Sequence, residues 1–111
     1  MITGGTGFVG ANLARKLLAS GCEVHMLVRP GYNPWRIDSI RHEVHIWETE
    51  LVDGERLKSI AATIRPEWVF HLAAYGAYPF QQDLHTMLQT NVIGTVNMLS
   101  LIHIPSPRDC S

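Results

Sequence analysis

Short runs of consecutive apolar residues alternate along the chain with longer segments in which apolar residues recur every three or four positions. The first pattern is typical of buried β-strands and the second of amphipathic α-helices. Strands that alternate with helices predict the α/β class, with a parallel sheet covered by helices in the order βαβαβαβα. The predicted strands are a stub at 1–2 and the runs 23–28, 44–47 and 68–72.

Four helical segments are predicted between and after the strands. Gly21 closes the first, because glycine tolerates the left-handed conformation at a helix end, and Pro66 stops the third, because proline cannot continue a helix. The segments are 8–20, about 35–40, 53–64 and about 80–99. The last has the apolar stripe of an amphipathic helix along one side, formed by Leu84, Leu88, Val92, Thr95, Val96 and Leu99.

The chain has 111 residues, of which 46% are hydrophobic and 17% charged, so one globular domain with a thin core is expected. Its net charge is -1 and its Arg and Lys residues are scattered, which argues against nucleic acid or an anionic membrane as a partner. No apolar run reaches the ~20 residues of a membrane span, and the first residues lack the order of a signal peptide. A cytoplasmic protein with no membrane partner is therefore expected.

No metal site is predicted from the histidines and cysteines. His42 and His45 are close in the sequence, but their neighbours supply no further cluster of ligands. Cys22 and Cys110 lie far apart, and neither belongs to a Cys-x-x-Cys pair. Two free thiols in a reducing compartment are therefore expected.

A glycine-rich loop lies between the strand stub and the first helix, with the sequence Thr-Gly-Gly-Thr-Gly-Phe-Val-Gly at 3–10. Gly4 permits a tight turn, Gly7 lets the backbone approach a pyrophosphate, and Gly10 lets the helix pack close to the strand. The N–H groups and the dipole of the helix N-terminus would face the bound anion. No Gly-Lys-Ser/Thr follows, which excludes a P-loop. The loop therefore predicts a dinucleotide site.

The pattern Thr-Gly-x-x-Gly-x-x-Gly at 3–10 resembles the cofactor loop of the extended short-chain dehydrogenase/reductase superfamily, in its NAD-dependent epimerase/dehydratase family. Three more segments resemble that family in the same order: Glu-Leu-Val-Asp at 50–53, His-Leu-Ala-Ala at 71–74 and Asn-Val-Ile-Gly-Thr at 91–95. The resemblance implies a Rossmann-type doubly wound parallel sheet with strand order 3-2-1-4. Residues 1–98 would be its NAD(P)-binding N-terminal fragment, a truncated first half.

The resemblance also implies that NAD(P) lies over the carboxyl ends of the first, second and fourth strands. Glu50 stands where the family has an Asp that accepts from the adenine amino group, which lengthens the reach of the carboxylate. A solvated turn, with Asp53 near a helix start, is an equally good interpretation of 50–53. The residues expected to bind the cofactor are Gly4, Gly7, Phe8, Val9, Gly10, Arg29, Glu50, Leu51, Leu72, Ala73 and Ala74.

The end of the second strand predicts a preference for NADP(H). In NAD-using members of the family this strand ends in an Asp that takes both ribose hydroxyls, and the corresponding residue is Val28. Arg29 follows it and can meet a 2′-phosphate through a charge-assisted pair. The alternative is that Arg29 stacks on the adenine or points to solvent.

The sequence lacks the pair that transfers protons in the superfamily, a Tyr followed four residues later by a Lys. Tyr75 and Tyr78 are interpreted as loop aromatics near the nicotinamide end of the cleft, with simple packing as the alternative. By resemblance, Asn91 would support the catalytic lysine of the parent enzyme through its backbone and a water. The fragment is expected to bind cofactor without turnover. The residues four positions after Tyr32, Tyr75 and Tyr78 are Arg36, Pro79 and Gln82.

The resemblance implies a parent enzyme that forms a keto intermediate with NAD(P) and then epimerises, dehydrates or reduces it, with a nucleotide sugar as substrate. A second copy of the parent is the expected protein partner, which makes a homodimer. Two alternatives would contain the same N-terminal half of the Rossmann-type sheet: an NADP(H)-dependent reductase of a non-nucleotide ketone, and a non-catalytic NADP(H)-sensing module.

Residues 99–111 are interpreted as a non-native tail. Leu-Ser-Leu-Ile-His-Ile at 99–104 resembles the translation of a transposase mosaic-end sequencing adapter. Pro-Ser-Pro-Arg-Asp at 105–109 matches no segment of the family. The alternative is a genuine helix end stopped by proline.

Overall fold

The computed structural model of the chain describes residues 1–74 and 83–102. Tyr75 and Tyr78, the expected start of the last helix and the tail from 103 onward lie outside these ranges. Within them, no helix is both long enough and apolar enough to cross a membrane.

The sheet consists of four parallel strands in the spatial order β3-β2-β1-β4. This order confirms the predicted α/β fold and the first half of a doubly wound sheet. β4 is shorter than the run predicted for it, because its ladder with β1 contains only the pairs of Ile2 with Phe70 and Thr3 with His71. The strands are β1 at Ile2–Thr3, β2 at His25–Val28, β3 at His45–Glu48 and β4 at Phe70–His71.

The first two long helices begin and end close to their predicted bounds. Past the end of the first helix, Gly21 has a φ of 82°, and the side chain of Asp53 caps the second helix by accepting from the N–H of Arg56 at 3.1 Å. Arg65, with a φ of 52°, ends that helix just before Pro66. The α-helices are α1 at Phe8–Ala19, α2 at Gly54–Ile64, α3 at Leu84–Met87 and α4 at Gly94–Ile102.

Two predicted helices differ from the structure. The stretch 35–40 forms only a 3-10 turn at Asp38–Ile40, because the N–H groups of Ile37 and Ile40 bond to carbonyls three residues back. In the last helix, a π-helical segment at Leu88–Ile93 separates α3 from α4. α4 reaches Ile102, past the predicted domain end at 98, and the origin of the tail stays a prediction.

Apolar side chains cover both faces of the sheet, as a parallel sheet requires. The cluster on one face contains Ile2, Ala11, Ala14, Val24, Met26, Val28, Ile37, Ile40 and Val44. The other contains Met1, Leu27, Leu51, Leu57, Ile60 and Met98.

Most of the apolar stripe of the last helix faces away from this core, and the exception is Thr95, which is partly buried and contacts His71. Instead, Gly94 and Met98 are buried, and Leu101 packs against the second cluster. The stripe residues Leu84, Leu88, Val92, Val96 and Leu99 are between 50% and 67% exposed.

Candidate functional site

The loops that follow the four strands meet at the carboxyl edge of the sheet and line one cleft of about 880 Å³. Its lining comes from the glycine loop after β1, from Arg29 after β2, from 49–52 after β3 and from 72–74 after β4. This is the place where open α/β sheets bind ligands. The structure brings together in this cleft every residue predicted to bind the cofactor: Gly4, Gly7, Phe8, Val9, Gly10, Arg29, Glu50, Leu51, Leu72, Ala73 and Ala74.

The glycine loop is a tight turn that α1 approaches closely. Gly4 has a φ of 71°, and its carbonyl oxygen accepts from the N–H of Gly7 at 3.1 Å. A Cβ on Gly10 would lie 2.2 Å from that oxygen, so the close packing at Gly10 is between helix and loop, where the sequence predicted helix against strand. A Cβ on Gly7 would meet the same oxygen at 3.4 Å, which is nearly ordinary contact.

The N-terminus of α1 offers backbone N–H groups to the cleft. Gly7 precedes the helix without a side-chain cap, and the first turn holds no acidic residue. The opening N–H groups of a helix have no partner within it, and the helix dipole adds a partial positive charge there. Phe8 and Val9 line the cleft and are 70% and 64% exposed, so the approach to this end is open. The arrangement suits a phosphate group.

A hydrogen-bond network joins the ends of β1 and β4 to α4. The Thr3 hydroxyl oxygen accepts from the N–H groups of Leu72 at 3.1 Å and Ala73 at 3.2 Å. It lies 2.6 Å from Nδ1 of His71, while Nε2 of His71 lies 3.1 Å from the Thr95 hydroxyl. Because the Thr3 oxygen already accepts twice, its proton goes to Nδ1, and Nε2 carries the imidazole proton toward Thr95.

This network holds His71 in its neutral form. Burial lowers the pKa of His71 from its ordinary value, because a buried imidazolium loses hydration. A second ring proton would also point at the Thr3 oxygen, which has no lone pair left for it. The sequence analysis interpreted His71 only as part of a strand motif. Its contacts with Thr3 and Thr95 could not be predicted from neighbouring residues, because both partners are distant in the sequence.

The two carboxylates of the loop after β3 have different surroundings, because one caps a helix and the other lines the cleft. Asp53 caps α2, which agrees with the helix-start interpretation of that residue. Glu50 is exposed and lines the cleft. Leu51 is buried between them, and its carbonyl accepts from the side-chain amide of Asn97 at 2.8 Å, which fixes the loop to α4.

The cleft also contains a second arginine that the sequence analysis missed. The guanidinium of Arg36 lies over the Trp35 ring, 4.4 Å from its centroid, and donates to the Thr6 carbonyl at 3.4 Å. Arg15 in turn donates to the Arg36 carbonyl. The available signal was a basic residue shortly after the turn formers that follow Arg29, because such residues mark a change in chain direction near the end of the second strand.

Asn91 lies in the π-helical segment, exposed and outside the cleft lining. Its neighbours Gln89 and Thr90 do line the cleft, as does Thr86. The expected role of Asn91 beside a catalytic lysine stays a prediction.

One cluster of potential metal ligands lies away from the cleft. The ligand atoms of Glu23, His25 and His45 all lie within 4.8 Å of one another. Trp47 Nε1–H donates to Nδ1 of His25 at 3.0 Å, so a neutral His25 carries its proton on Nε2, toward Glu23 at 2.9 Å. That proton occupies the position a metal would need. The predicted absence of a metal site stays a prediction.

Comparison with known proteins assigns the family. The model of the GDP-mannose 4,6 dehydratase family matches residues 1–109. The chain belongs to this family. The predicted relationship to NAD-dependent epimerases and dehydratases is thereby confirmed.

Curated relatives of the family share about a third of the sequence with this chain. A protein of Synechocystis sp. with the provisional name dihydroflavonol 4-reductase is 37% identical over 100 residues, which are 89% of this chain and 27% of that protein. GDP-mannose 4,6-dehydratase of Vibrio cholerae is 31% identical over 115 residues, which cover 94% of this chain and 31% of the enzyme. The chain thus spans less than a third of the length of these two relatives.

Solved structures confirm the Rossmann-type fold. UDP-glucose 4-epimerase of Thermotoga maritima, solved with UDP-glucose, has a TM-score of 0.78 at 28% identity, covering 90% of this chain and 32% of that one. dTDP-glucose 4,6-dehydratase of Bacillus anthracis, solved with NAD, has a TM-score of 0.74 at 25% identity, covering 91% and 32%.

Proposed function

We propose that the chain is the NAD(P)-binding portion of an enzyme that epimerises, dehydrates or reduces a nucleotide sugar through a keto intermediate. The observation that carries the proposal is the convergence of the loops after all four strands on one cleft, at the open N-terminus of α1. The names of the relatives support the substrate class, because the enzymes of Vibrio cholerae and Bacillus anthracis act on nucleotide-linked sugars.

Each part of the dinucleotide has a candidate partner in the cleft. The pyrophosphate would lie against the loop at Gly4 and Gly7 and against the first turn of α1, where no side chain caps the helix. Arg29 would take the ribose side and Glu50 the adenine amino group. The remaining candidates, Leu51, Leu72, Ala73 and Ala74, would flank the cofactor where it passes over the sheet edge.

The bound cofactor supplies a hydride acceptor, and the residues of this chain bind and orient it. The small side chains of Ala73 and Ala74 leave room for it at the end of β4. The Thr3 hydroxyl holds the backbone at Leu72 and Ala73 in place. The sequence contains no Tyr-x-x-x-Lys, so proton transfer to and from a substrate hydroxyl depends on residues of the parent enzyme outside this chain.

The second candidate function is reduction of a non-nucleotide ketone with NADP(H). The name of the Synechocystis sp. relative favours it, at 37% identity. The substrate-binding part of the parent enzyme separates the two candidates, because both would use the same cofactor cleft.

The substrate is tested with the complete parent enzyme and a panel of UDP-, GDP- and dTDP-linked sugars beside simple ketones. Conversion of a nucleotide sugar is the expected result, and turnover of ketones alone would favour the second candidate. The 111-residue chain should leave the nicotinamide absorbance unchanged with every substrate. Turnover by this chain above a heat-inactivated sample would contradict its proposed incompleteness.

A further inference from the structure

We propose that Glu23, His25 and His45 bind a zinc ion at the edge of the sheet opposite the cofactor cleft. His25 and His45 begin β2 and β3, whose carboxyl ends lead to the cleft, so the cluster lies at the amino ends of these strands. The sequence analysis expected no metal site, because it considered His45 together with its sequence neighbour His42. The proposed zinc site does not depend on the proposed cofactor function.

Strand pairing brings the two histidines together. β2 and β3 are parallel, and His25 is the register partner of His45, so both side chains leave the sheet on the same face. Their rings stack, with centroids 4.4 Å apart and an angle of 15° between the planes. Glu23 precedes β2, and its Oε1 lies 2.9 Å from Nε2 of His25 and 3.5 Å from Nε2 of His45. Both imidazoles are thus held by a sheet, which positions ligands more precisely than a loop.

The spacing of these atoms suits a tetrahedral zinc ion. Zinc binds imidazole nitrogen and carboxylate oxygen at about 2.0–2.2 Å, which separates neighbouring ligand atoms by about 3.3–3.6 Å. The three ligand atoms all lie within 4.8 Å of one another. Two imidazoles and one carboxylate are a set that zinc uses with water in the fourth position. Rotation of the exposed His45 ring, which directs its Nε2 lone pair at the same point as that of His25, completes the site.

The cluster is open to an ion and carries the charge that attracts one. The side chains of Glu23 and His45 are each more than half exposed, whereas that of His25 is mostly buried and anchors the site in the sheet. Within the described residues, the ion pairs of Glu23 are with these two histidines and with no lysine or arginine. A permanently charged cation therefore does not neutralise the carboxylate.

Trp47 governs the position of the proton that zinc must displace. Its Nε1–H donates to Nδ1 of His25 at 3.0 Å, which leaves the proton of a neutral His25 on Nε2. Zinc binds a deprotonated Nε2, so the ring proton moves to Nδ1 and the indole loses its acceptor. The hydrogen bond from Trp47 therefore opposes zinc binding. Its removal should tighten binding, an effect that a merely structural role of Trp47 would not produce.

The test measures Zn2+ binding to the untagged 111-residue chain by competition with a chromophoric chelator. Binding of one Zn2+ per chain is expected. His45→Gln and Glu23→Gln should each weaken it by about tenfold or more, because even residues that only support a metal ligand change the affinity by about tenfold to a hundredfold. His42→Gln is the matched control and should leave binding unchanged, because His42 is also exposed and close to β3 but outside the cluster.

A further variant tests the role of the indole. Trp47→Phe keeps an aromatic ring without the donor and should tighten Zn2+ binding by about twofold to tenfold, the usual net contribution of one hydrogen bond. Unchanged or weaker binding in Trp47→Phe would overturn the role of Trp47. Absence of stoichiometric binding by the parent chain, or equal losses in His42→Gln and His45→Gln, would overturn the zinc site itself.

A measurement on the unaltered chain keeps the proposal testable if a variant does not fold. Co2+ can take the place of zinc, and it absorbs visible light much more strongly in a tetrahedral protein site than in water. Adding one equivalent of Co2+ to the chain should produce these absorption bands, and Zn2+ should then remove them. A spectrum equal to that of Co2+ in buffer would overturn the site.

Discussion

Gly7 and Gly10 lie close together in the same loop, but an added methyl group meets different surroundings at each. At Gly10 it would overlap the Gly4 carbonyl oxygen at 2.2 Å, and at Gly7 its nearest described neighbour would be the same oxygen at 3.4 Å. Gly7 has a φ of -80°, which alanine adopts without strain. The packing of the loop therefore requires glycine at position 10 but not at position 7, which supports the proposed contact of Gly7 with the pyrophosphate.

The pair of alanine variants tests this division. Gly10→Ala should lower the free energy of unfolding by about 1–3 kcal/mol or more, because backbone atoms must move. Gly7→Ala should unfold within about 0.5 kcal/mol of the parent chain but bind NADPH much more weakly, because its methyl group takes the place of the pyrophosphate. Chemical denaturation and cofactor titration of the same samples measure both effects. Equal stability of the two variants would show that the packing at Gly10 is not needed.

His71 makes the stability of the chain depend on pH. Burial lowers its pKa in the folded state from the ordinary 6.5, so the unfolded state binds more protons below that pH. Stability should therefore fall as the pH drops below about 6.5 and level off once the folded-state pKa has been passed.

The variants His71→Gln and His42→Gln separate this effect from general acid sensitivity. The first removes the neutral imidazole from the Thr3 and Thr95 network, and the second removes an exposed histidine. Unfolding midpoints measured from pH 8 to 5 should show a weaker pH dependence in His71→Gln alone. A profile in His71→Gln as steep as that of the parent would contradict the assignment.

At the scale of the elements, the positions of the strands, α1 and α2 were predictable from the sequence. The spacing of apolar residues and the residues that begin or end a helix, such as Asp53 and Gly21, depend only on neighbouring positions. The last helix was different. Its apolar stripe suggested one continuous helix, but a π-helical segment at Leu88–Ile93 changes the hydrogen-bond pattern between α3 and α4. A periodic pattern contains no signal for that change, and Gly94 and Met98 became the buried positions instead.

Adjacent residues of α4 test this register. Met98 is 4% exposed and packs in the cluster with Leu27 and Leu57, whereas Leu99 is 51% exposed. Met98→Ala should lower the free energy of unfolding by about 2–5 kcal/mol, the usual cost of truncating a buried side chain. Leu99→Ala should stay within about 0.5 kcal/mol of the parent. The register would be wrong if Leu99→Ala were the more damaging variant in urea denaturation.

At the scale of the whole molecule, the strand order and the cleft residues were both predicted from the order of the motifs along the chain, which is that of a doubly wound fold. Topology then places Gly4, Arg29, Glu50 and Ala73 at one edge of the sheet. The sequence did not single out Arg36, because its place in the cleft depends on contacts that form only in the folded chain. The main one is its hydrogen bond to the carbonyl of Thr6, 30 positions away. The local sequence around Arg36 gives the turn but not its direction.

The central claim is that this cleft holds a nicotinamide dinucleotide against the glycine loop. The most direct measurement is an equilibrium titration of the folded 111-residue chain with NADPH, followed by nicotinamide fluorescence, beside the same titration of Gly7→Ala. We predict saturable binding of one NADPH per chain, displaced by NADP+ and strongly weakened in Gly7→Ala. The absence of saturable binding in a sample shown to be folded, or equal binding by Gly7→Ala, would contradict the claim.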